Sequence, residues 1–266
     1  MKVGCVMLMS PGREAFQHHA VACYNSQTYT GGLRLLTLPA DPARTIGAMR
    51  NYANSLLTDC DIVCHFDDDD WSHQNRIAEQ VALLQATGAD CVGYNEMLFW
   101  RESVQDRVKA LVTDKGGWTR EDLAKYGVSW PPPAGWLSNL PTGEAWLYSN
   151  PNPRYALGTS LCYWRLAWEA LPFPDLQHGE DTEWLKGVNC HSVSGCGEFS
   201  PVSIHLPMSH PSAWPDFRMI ARIHAGNSSS AYDPAEMARH NTLLPAEQQW
   251  SRISEWDKVC REVMER

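Results

Sequence analysis

The chain has 266 residues, and its 44% hydrophobic and 20% charged residues are typical of a water-soluble globular protein. Its formal net charge of −9 disfavours a protein whose main task is binding a phosphate backbone, although a local basic face would still admit a nucleic-acid substrate. No apolar run approaches the roughly 20 residues that cross a bilayer, and the N-terminal apolar run is too short for a secretion signal. We therefore expect a cytoplasmic protein with no membrane anchor.

The first hundred residues alternate between predicted strands and helices. Near-continuous apolar runs indicate buried strands at 2–9, 33–38, 61–66 and 90–94. Apolar residues at helical spacing indicate helices at 13–27, 45–57 and 73–88. Ser72 is a suitable cap for the third helix and Gly88 a suitable end. The alternation predicts an α/β fold with a mostly parallel sheet flanked by helices, in which ligands bind beyond the carboxyl ends of the strands.

The second half of the chain is organised differently. Residues 115–154 are rich in Gly, Pro and Trp and show little periodicity, so we expect a long loop region that its tryptophans keep ordered. Further predicted elements are a strand and helix within 155–173, a strand at 201–206 and an amphipathic helix at 246–264. No internal repeat and no Gly/Ser linker interrupts the chain, which favours a single domain over 1–266.

Nine cysteines are spread singly along the chain, several of them inside apolar runs, where a reduced thiol behaves as a small hydrophobe. Cys190, His191 and Cys196 have part of the spacing of a zinc site, but no second Cys/His pair stands nearby at the usual spacing. We expect reduced structural cysteines.

The stretch "DIVCHFDDDDW" at 61–71 places four aspartates at the end of a predicted buried strand. Adjacent ionised carboxylates repel one another unless a cation lies among them, and oxygen ligands suit Mg²⁺ or Mn²⁺. In an extended segment Asp67 and Asp69 share a face, while Asp68 and Asp70 point elsewhere. The alternative is a solvated turn in which Asp70 caps the following helix. The buried strand before the cluster favours a metal site with room for a diphosphate.

Four segments, in order along the chain, carry a family resemblance. The segment "DIVCHFDDDDWSHQNRIAEQ" resembles the metal-binding DxD segment of GT-A fold glycosyltransferases of the family 2 type. The segment "TIGAMRNYA" is similar to that family's Gly-x-x-Arg-Asn segment, "HGEDTEW" to its Glu-Asp catalytic motif, and "RMIARIHAGNSS" to a late His-Gly-Asn segment. The resemblance covers residues 3 to about 230. The usual Asp-Asp-Gly-Ser after the second strand is replaced here by "LPADPART".

The resemblance implies a GT-A-like fold and a role for individual residues. A metal ion, Mn²⁺ or Mg²⁺, would be held by Asp67, Asp69 and His224. The nucleotide pocket would be bounded by Arg13, Asp41, Arg50, Asn51, Asp67 and Asp68. Catalysis would use Asp181 as base, with Glu180 beside it. The single domain would comprise a nucleotide-binding half at 1–100, an acceptor-binding and catalytic half at 101–230, and a C-terminal helical segment at 231–266.

The expected reaction transfers a sugar from a nucleoside-diphosphate sugar, UDP-linked in the first instance, to a hydroxyl acceptor with inversion. Negative charge develops on the leaving diphosphate, where a metal ion neutralises it. The acceptor hydroxyl loses its proton to a carboxylate near the reacting carbon. Asp181 lies at the predicted start of a helix, which favours its charged form. The competing interpretation of Glu180 and Asp181 is an ordinary acidic helix cap.

Weaker features leave several interpretations open. His205 and His210 are further candidates for the metal or diphosphate. The Trp/Pro-rich region is interpreted as an acceptor-binding lid, with plain packing as the alternative. Two other functions compete with glycosyl transfer: a nucleotidyltransferase using the same aspartate-bound metal, and a non-catalytic nucleotide- or carbohydrate-binding module. A glycan, a protein, a small molecule and a modified nucleobase all remain open as the acceptor.

Overall fold

A computed structural model describes residues 1–11, 13–101, 105, 119–124, 128–139, 142–196, 217–223 and 249–264. The predicted strand at 201–206 lies outside these residues. So do Trp118 and three of the histidines considered above, His205, His210 and His224.

Ten strands are assigned in the described residues: β1 (Lys2–Met9), β2 (Gly32–Pro39), β3 (Ile62–His65), β4 (Trp71–Ser72), β5 (Cys91–Arg101), β6 (Glu144–Ser149), β7 (Cys162–Trp164), β8 (Cys190–Ser194), β9 (Met219–Ile223) and β10 (Gln249–Arg252). The helices in the same residues are α1 (Glu14–Asn25), α2 (Ile46–Ser55), α3 (Arg76–Thr87), α4 (Arg120–Ala124), α5 (Arg165–Ala170), α6 (Glu180–Leu185) and α7 (Asp257–Met264). Short 3₁₀ turns occur at Trp136–Asn139, Gly158–Ser160 and Ser254–Trp256.

The strands form one sheet in the order β10-β6-β5-β7-β3-β1-β2, with β8 and β9 paired to β5 and β4 paired to β9. β1 pairs in parallel with β2 and β3, and β5 pairs in parallel with β8 and β9. β7 is antiparallel to both β3 and β5, so these two strands point the same way across it. The predicted α/β fold with a mostly parallel central sheet flanked by helices is confirmed.

Helices cover both faces of the sheet. On one face Ala20 of α1 and Ile77 of α3 join a buried cluster with side chains of β1 and β3. On the other face Ala53 of α2 and Trp184 of α6 join a second cluster with Val63 of β3. Because both faces are buried, the central strands are apolar at successive positions rather than alternate ones, as the sequence showed.

The local helix signals are partly confirmed. Thr45, for which no cap was predicted, caps α2, since its hydroxyl oxygen accepts the N–H of Ala48 at 3.0 Å. Gly88 ends α3 in the left-handed conformation, with φ of 63°. The expected Ser72 cap is wrong: α3 begins after Asn75, and Ser72 lies in the short strand β4.

The prediction of one continuous helix over 246–264 is only partly right. Within its described part Gln249–Arg252 is strand β10, antiparallel to β6, and only Asp257–Met264 is α-helical. Trp250 packs against Phe99 and Tyr148, with ring centroids 4.7 and 5.0 Å apart. This packing on the sheet outweighs the local helical pattern.

The Trp/Pro-rich region also contributes more regular structure than expected, because its residues Glu144–Ser149 form β6 and extend the sheet beside β5. All nine cysteines are free and eight of them are buried, in agreement with the prediction. Within the described part of the chain, no helix combines the length and apolarity that a bilayer crossing requires.

Gly47 generates a testable prediction about the packing of α2. A Cβ on Gly47 would lie 1.9 Å from the backbone oxygen of Pro174, which cannot move aside cheaply. We expect Gly47→Ala to lower the free energy of unfolding by about 1–3 kcal/mol, because overpacking outweighs the gain in helix propensity of about 1 kcal/mol. Thermal unfolding measures this. Gly32→Ala is the control, since its Cβ would meet the flexible Lys2 side chain at 3.2 Å and the nearest backbone atom at an ordinary contact distance of 3.8 Å. Equal midpoints for the two variants would contradict the prediction.

Candidate functional site

Acidic and basic side chains meet at the carboxyl ends of β1 and β3. These strands are parallel neighbours that end at Met9 and His65, so the segments after them begin at the same edge of the sheet. The first segment carries Arg13 and the second carries Asp67–Asp70. Ligands of α/β sheets bind at such an edge.

Asp68 anchors the loop that follows β1. Its carboxylate accepts the backbone N–H of Ser10 at 2.6 Å, Arg13 Nη1 at 3.0 Å and Gln17 Nε2 at 3.1 Å. Arg13 Nη1 also lies 3.0 Å from Oδ2 of Asp69, so one guanidinium nitrogen serves both carboxylates. Asp68 is 2% exposed. Its carboxylate is therefore engaged with the protein itself, and the proposed contact with the nucleotide stays a prediction.

Asp70 has a different set of partners. One carboxylate oxygen accepts the Thr159 hydroxyl at 2.6 Å, and the other accepts the backbone N–H of Arg222 at 3.0 Å. Burial raises the pKa of Asp70 well above its usual range, and the charges of Asp69 and Asp67 add to this. The alternative in which Asp70 caps α3 is wrong, because the carboxyl group points to the 3₁₀ turn at Gly158–Ser160 and to β9.

Asp67 is the most exposed of the four aspartates, although it is still partly buried. Burial raises the pKa of Asp67 to about 6, and Asp69 and Asp68 contribute in the same direction, while Arg50 opposes the change. A carboxylate whose negative charge is poorly compensated by the chain is a suitable ligand for a divalent cation. Asp67 therefore provides the open position of the cluster.

Arg50 is buried between two parts of the site. Its Nε donates to Oε1 of Glu180 at 2.9 Å, and its Nη1 contacts Nδ1 of His65. Burial alone would lower the pKa of Arg50, but the carboxylates of Glu180, Asp67 and Asp181 raise it overall. The same guanidinium thus interacts with the aspartate cluster and with the acidic pair at the start of α6.

Asp181 is the partly exposed member of that acidic pair. Its Oδ1 accepts the backbone N–H of Thr182 at 2.7 Å. Its Oδ2 lies against Gly158, where an added Cβ would come within 2.1 Å of that oxygen. Glu180, by contrast, is 4% exposed and paired with Arg50. Of the two acids, Asp181 has the geometry of a base that can reach a ligand.

Two predicted nucleotide contacts are engaged elsewhere. The side-chain oxygen of Asn51 accepts the N–H groups of Phe173 at 3.0 Å and of the Trp168 indole at 2.8 Å. Asp41 follows β2 on the same edge of the sheet, and its carboxylate accepts the N–H of Ala43 and pairs with Arg44. Their contacts with the nucleotide stay predictions. His224, the third predicted metal ligand, lies outside the described residues.

Arg76 belongs to the segment "DIVCHFDDDDWSHQNRIAEQ" that carries the resemblance, but the sequence interpretation assigned it no role. Arg76 is fully buried, donates to the backbone oxygens of His65 and Thr159 at 2.8 and 2.9 Å, and stacks on Phe66 at 4.6 Å. It fixes the 3₁₀ turn against the end of β3. An arginine at the start of an otherwise amphipathic helix was the available signal.

Arg222 was also missed. It is buried on β9, lies 4.2 Å from the Phe16 ring centroid and donates to the backbone oxygens of Asp69 and Met264 at 3.3 and 2.8 Å. The available signal was an arginine inside the apolar run "MIARI".

The donor set fits a hard divalent cation that takes further ligands from a substrate. Among the described side chains no group of three His, Cys, Asp or Glu residues is placed to hold a metal ion by itself. Mg²⁺ commonly uses only one or two carboxylates together with phosphate oxygens and water. Asp67 and Asp69 could supply such carboxylates. Burial, followed by the charges of Asp69 and Asp68, raises the pKa of Asp67, and a bound cation would oppose this effect.

Comparisons with known proteins bear on the fold. No protein-family model matches the chain, and no curated protein matches its sequence. The crystal structure of S. aureus TarS 1-349 in complex with UDP-GlcNAc is similar over 88% of this chain and 62% of that chain, with 13% identity and a TM-score of 0.50. TarS 1-349 in complex with UDP is similar over 84% and 61%, with 12% identity and a TM-score of 0.46.

At these identities the similarity is one of fold. The fold of the chain is similar to that of TarS, while membership of the family 2 glycosyltransferases stays a prediction. The chain spans about 62% of the length of TarS 1-349.

Asp67 generates a prediction about pH. Its pKa of about 6 in the folded protein exceeds its usual value of 3.8, so the folded state is stabilised by protonation below pH 6 and loses this contribution as the pH rises through 6. In the presence of chelator, we expect the change from pH 7.5 to pH 5 to favour wild type over Asp67→Asn by about 1 kcal/mol in free energy of unfolding. Denaturant titrations at the two pH values measure this. Parallel pH dependences would show that Asp67 is not perturbed.

Proposed function

We propose that the chain is a metal-dependent glycosyltransferase that moves a sugar from a nucleoside-diphosphate sugar, most simply a UDP-sugar, to a hydroxyl acceptor with inversion. The observation that carries the proposal is the pairing of two acidic sites, Asp67 and Asp181, around the buried guanidinium of Arg50. One site suits a cation and a diphosphate, and the other suits a proton acceptor. The fold is similar to that of TarS, which was crystallised with UDP-GlcNAc.

The donor half of the site would bind the nucleotide sugar through the aspartate cluster. Asp67 and Asp69 would hold Mn²⁺ or Mg²⁺, joined by His224. When bound, the ion would neutralise negative charge on the leaving diphosphate. Arg13 keeps Asp69 in place, since its guanidinium nitrogen lies 3.0 Å from that carboxylate. Asp41 would contact the nucleotide from the end of β2.

Asp181 would act on the acceptor. Its carboxylate would take the proton of the acceptor hydroxyl as the hydroxyl oxygen bonds to the anomeric carbon, while the bond to the nucleoside diphosphate breaks on the opposite face of the sugar. Thr182 orients one carboxylate oxygen and Gly158 leaves room for the other. Glu180 is poorly suited to be the base, because its carboxylate is buried and paired with Arg50.

The acceptor would bind beside the Trp/Pro-rich region, within the single domain proposed for 1–266. Trp130 in this region is 51% exposed, which is unusual for a large aromatic side chain and suits stacking on a ring of the acceptor. The nucleotide-binding half at 1–100 and the acceptor half at 101–230 would then meet at the edge that holds Asp67 and Asp181.

Thermal-shift measurements with a panel of nucleotide sugars, each with Mn²⁺ or Mg²⁺, test the donor assignment. Binding to the folded state raises the unfolding midpoint in proportion to the logarithm of ligand concentration over Kd. We expect a shift with a nucleoside-diphosphate sugar that requires the metal. Release of a nucleoside diphosphate on turnover supports glycosyl transfer, whereas release of pyrophosphate would identify a nucleotidyltransferase.

The first mutational prediction concerns the base. We expect Asp181→Asn to lower the rate of transfer by at least about 100-fold while changing donor affinity less than about twofold, because only proton removal is lost. Rates and donor binding are measured on the same preparations. The control is Asp59→Asn, whose carboxylate pairs with Lys2 and Arg34 at the opposite end of the sheet. Equal losses of rate and affinity would assign Asp181 to structure or to the nucleotide site.

The second mutational prediction concerns the metal. We expect Asp69→Ala to abolish the part of nucleotide binding that depends on Mn²⁺, since a carboxylate ligand is lost. Calorimetric titration of UDP with Mn²⁺, and again with excess chelator, measures both components. Wild-type binding that is unaffected by chelator would defeat the metal assignment.

A further inference from the structure

Helix α2 is joined along its length to the segment that leads into α6. At its start the Thr45 hydroxyl contacts the carboxylate of Asp175, and the backbone N–H of Gly47 donates to the oxygen of Leu176 at 3.1 Å. One turn later Arg50 pairs with Glu180. These bonds connect successive turns of one helix to one short segment, which we name the 173–181 segment after its first and last residues.

Asn51 completes the connection by binding both backbone groups of one residue. Its Nδ2 donates to the oxygen of Phe173 at 2.8 Å, and its Oδ1 accepts the N–H of Phe173 at 3.0 Å. A side-chain amide that matches a backbone amide in this way fixes the position and the orientation of that residue. The start of the 173–181 segment is thereby held at Asn51 and its end at Arg50.

Close packing leaves little freedom between these two points. Gly47 approaches the backbone of Pro174 so closely that a Cβ would lie 1.9 Å from its oxygen and 3.3 Å from Cβ of Glu180. Glycine is therefore required for α2 to contact the segment along this line. Gly47, Arg50 and Asn51 all face the same segment.

The burial of the Arg50–Glu180 pair indicates what it does. Arg50 is 8% exposed and Glu180 is 4% exposed. A buried ion pair contributes little net stability but strongly disfavours any arrangement in which one partner loses the other. The pair therefore specifies one position for Glu180, and Asp181 is the next residue in the chain.

Arg50 also reaches the donor side of the site. Its Nη1 contacts the ring of His65, the last residue of β3, and Asp67 follows two residues later. One side chain thus contacts the residue next to Asp181 and the strand end that carries Asp67. Arg50 therefore bridges the two backbone segments that carry the acidic sites.

We propose that Arg50 and Asn51, together with Glu180, are positioning residues that hold the 173–181 segment and so place Asp181 relative to Asp67, and that they are not contacts for the nucleotide. The proposal rests on the proposed function in so far as Asp181 is the base. Because a displacement of about 1 Å at a reacting group costs on the order of 100-fold in rate, loss of this positioning would reduce turnover far more than donor binding.

The experiment compares Arg50→Met with Arg34→Met. Both changes remove an arginine from an ion pair, but the Arg34–Asp59 pair is exposed and lies at the other end of the sheet. Three quantities are measured: the Kd for UDP with Mn²⁺, the kcat for hydrolysis of UDP-GlcNAc, and hydrogen exchange of the amides in 173–186. For Arg50→Met we expect at least tenfold faster exchange in 173–186, at least 100-fold lower kcat and a Kd within threefold of wild type. Arg34→Met should leave all three unchanged.

Two results would overturn the proposal. A tenfold or greater rise in Kd with unchanged exchange would show that Arg50 contacts the nucleotide, and unchanged exchange with unchanged Kd would show that α2 does not hold the segment. If Arg50→Met does not fold, Glu180→Gln and Asn51→Ala are judged by the same criteria. Arg50→Lys tests rescue: it retains the charge, and we expect it to recover part of the exchange protection and part of kcat.

Failure of the proposed function is distinguishable from failure of this inference. A wild-type protein that neither binds UDP with Mn²⁺ nor hydrolyses any nucleotide sugar would contradict the glycosyltransferase assignment. Hydrogen exchange in 173–186 would then still decide whether Arg50 and Asn51 hold the segment, because that measurement needs no substrate.

Discussion

The neutralisation of concentrated negative charge at one edge of the sheet is the constraint on which this site depends. Arg13 pairs with the carboxylates of Asp68 and Asp69, and the backbone N–H of Arg222 donates to the carboxylate of Asp70. Arg50 pairs with Glu180. Buried carboxylates without such partners would have to be protonated or move into solvent. Arg13 and Arg50 belong to different parts of the chain, so charge balance couples the loop before α1 and the helix α2 to the end of β3. A backbone hydrogen bond from Arg222 joins strand β9 to the same place.

This constraint divides four chemically identical residues into different roles. Asp68 is saturated by three donors and Asp70 by two, and these bonds fix the loop after β1 and the turn at Gly158–Ser160. Asp67 is the one carboxylate of the four that keeps partial exposure, so it is the one that an incoming ligand can reach. The hydrogen-bonded carboxylates of Asp68 and Asp70 hold the surrounding segments in place. These fixed segments keep the carboxylate of Asp67 in a position to bind a ligand. The run of aspartates is thus partly structural and partly open.

The strands and helices of the first hundred residues were predictable because they rest on local signals: apolar runs, apolar residues at helical spacing, and the glycine that ends α3. The pairing of strands was not, because the insertion of β7 between β3 and β5 depends on contacts between residues far apart in sequence. The same reason explains β10, whose Trp250 packs on side chains more than a hundred residues away. At the site, residue types and segments were predictable, but hydrogen-bond partners were not. No role was predicted for Arg76 and Arg222, because the contacts that join them to the site are made to backbone oxygens, which no side-chain pattern reveals.

A sequence motif therefore predicts the location of a site more reliably than it predicts the role of each residue in that site. A glycine, an arginine and an asparagine on one helix suit contact with a phosphate or a base, and they suit equally well the fixing of a neighbouring segment. Burial separates these two roles. A group that binds a diffusible nucleotide must be accessible before binding, whereas Arg50 is 8% exposed and its Nε is committed to Glu180. Of the acidic side chains at Asp67–Asp70 and at Glu180 and Asp181, only Asp67 and Asp181 keep partial exposure, so their carboxylates are the ones that an incoming ligand can reach.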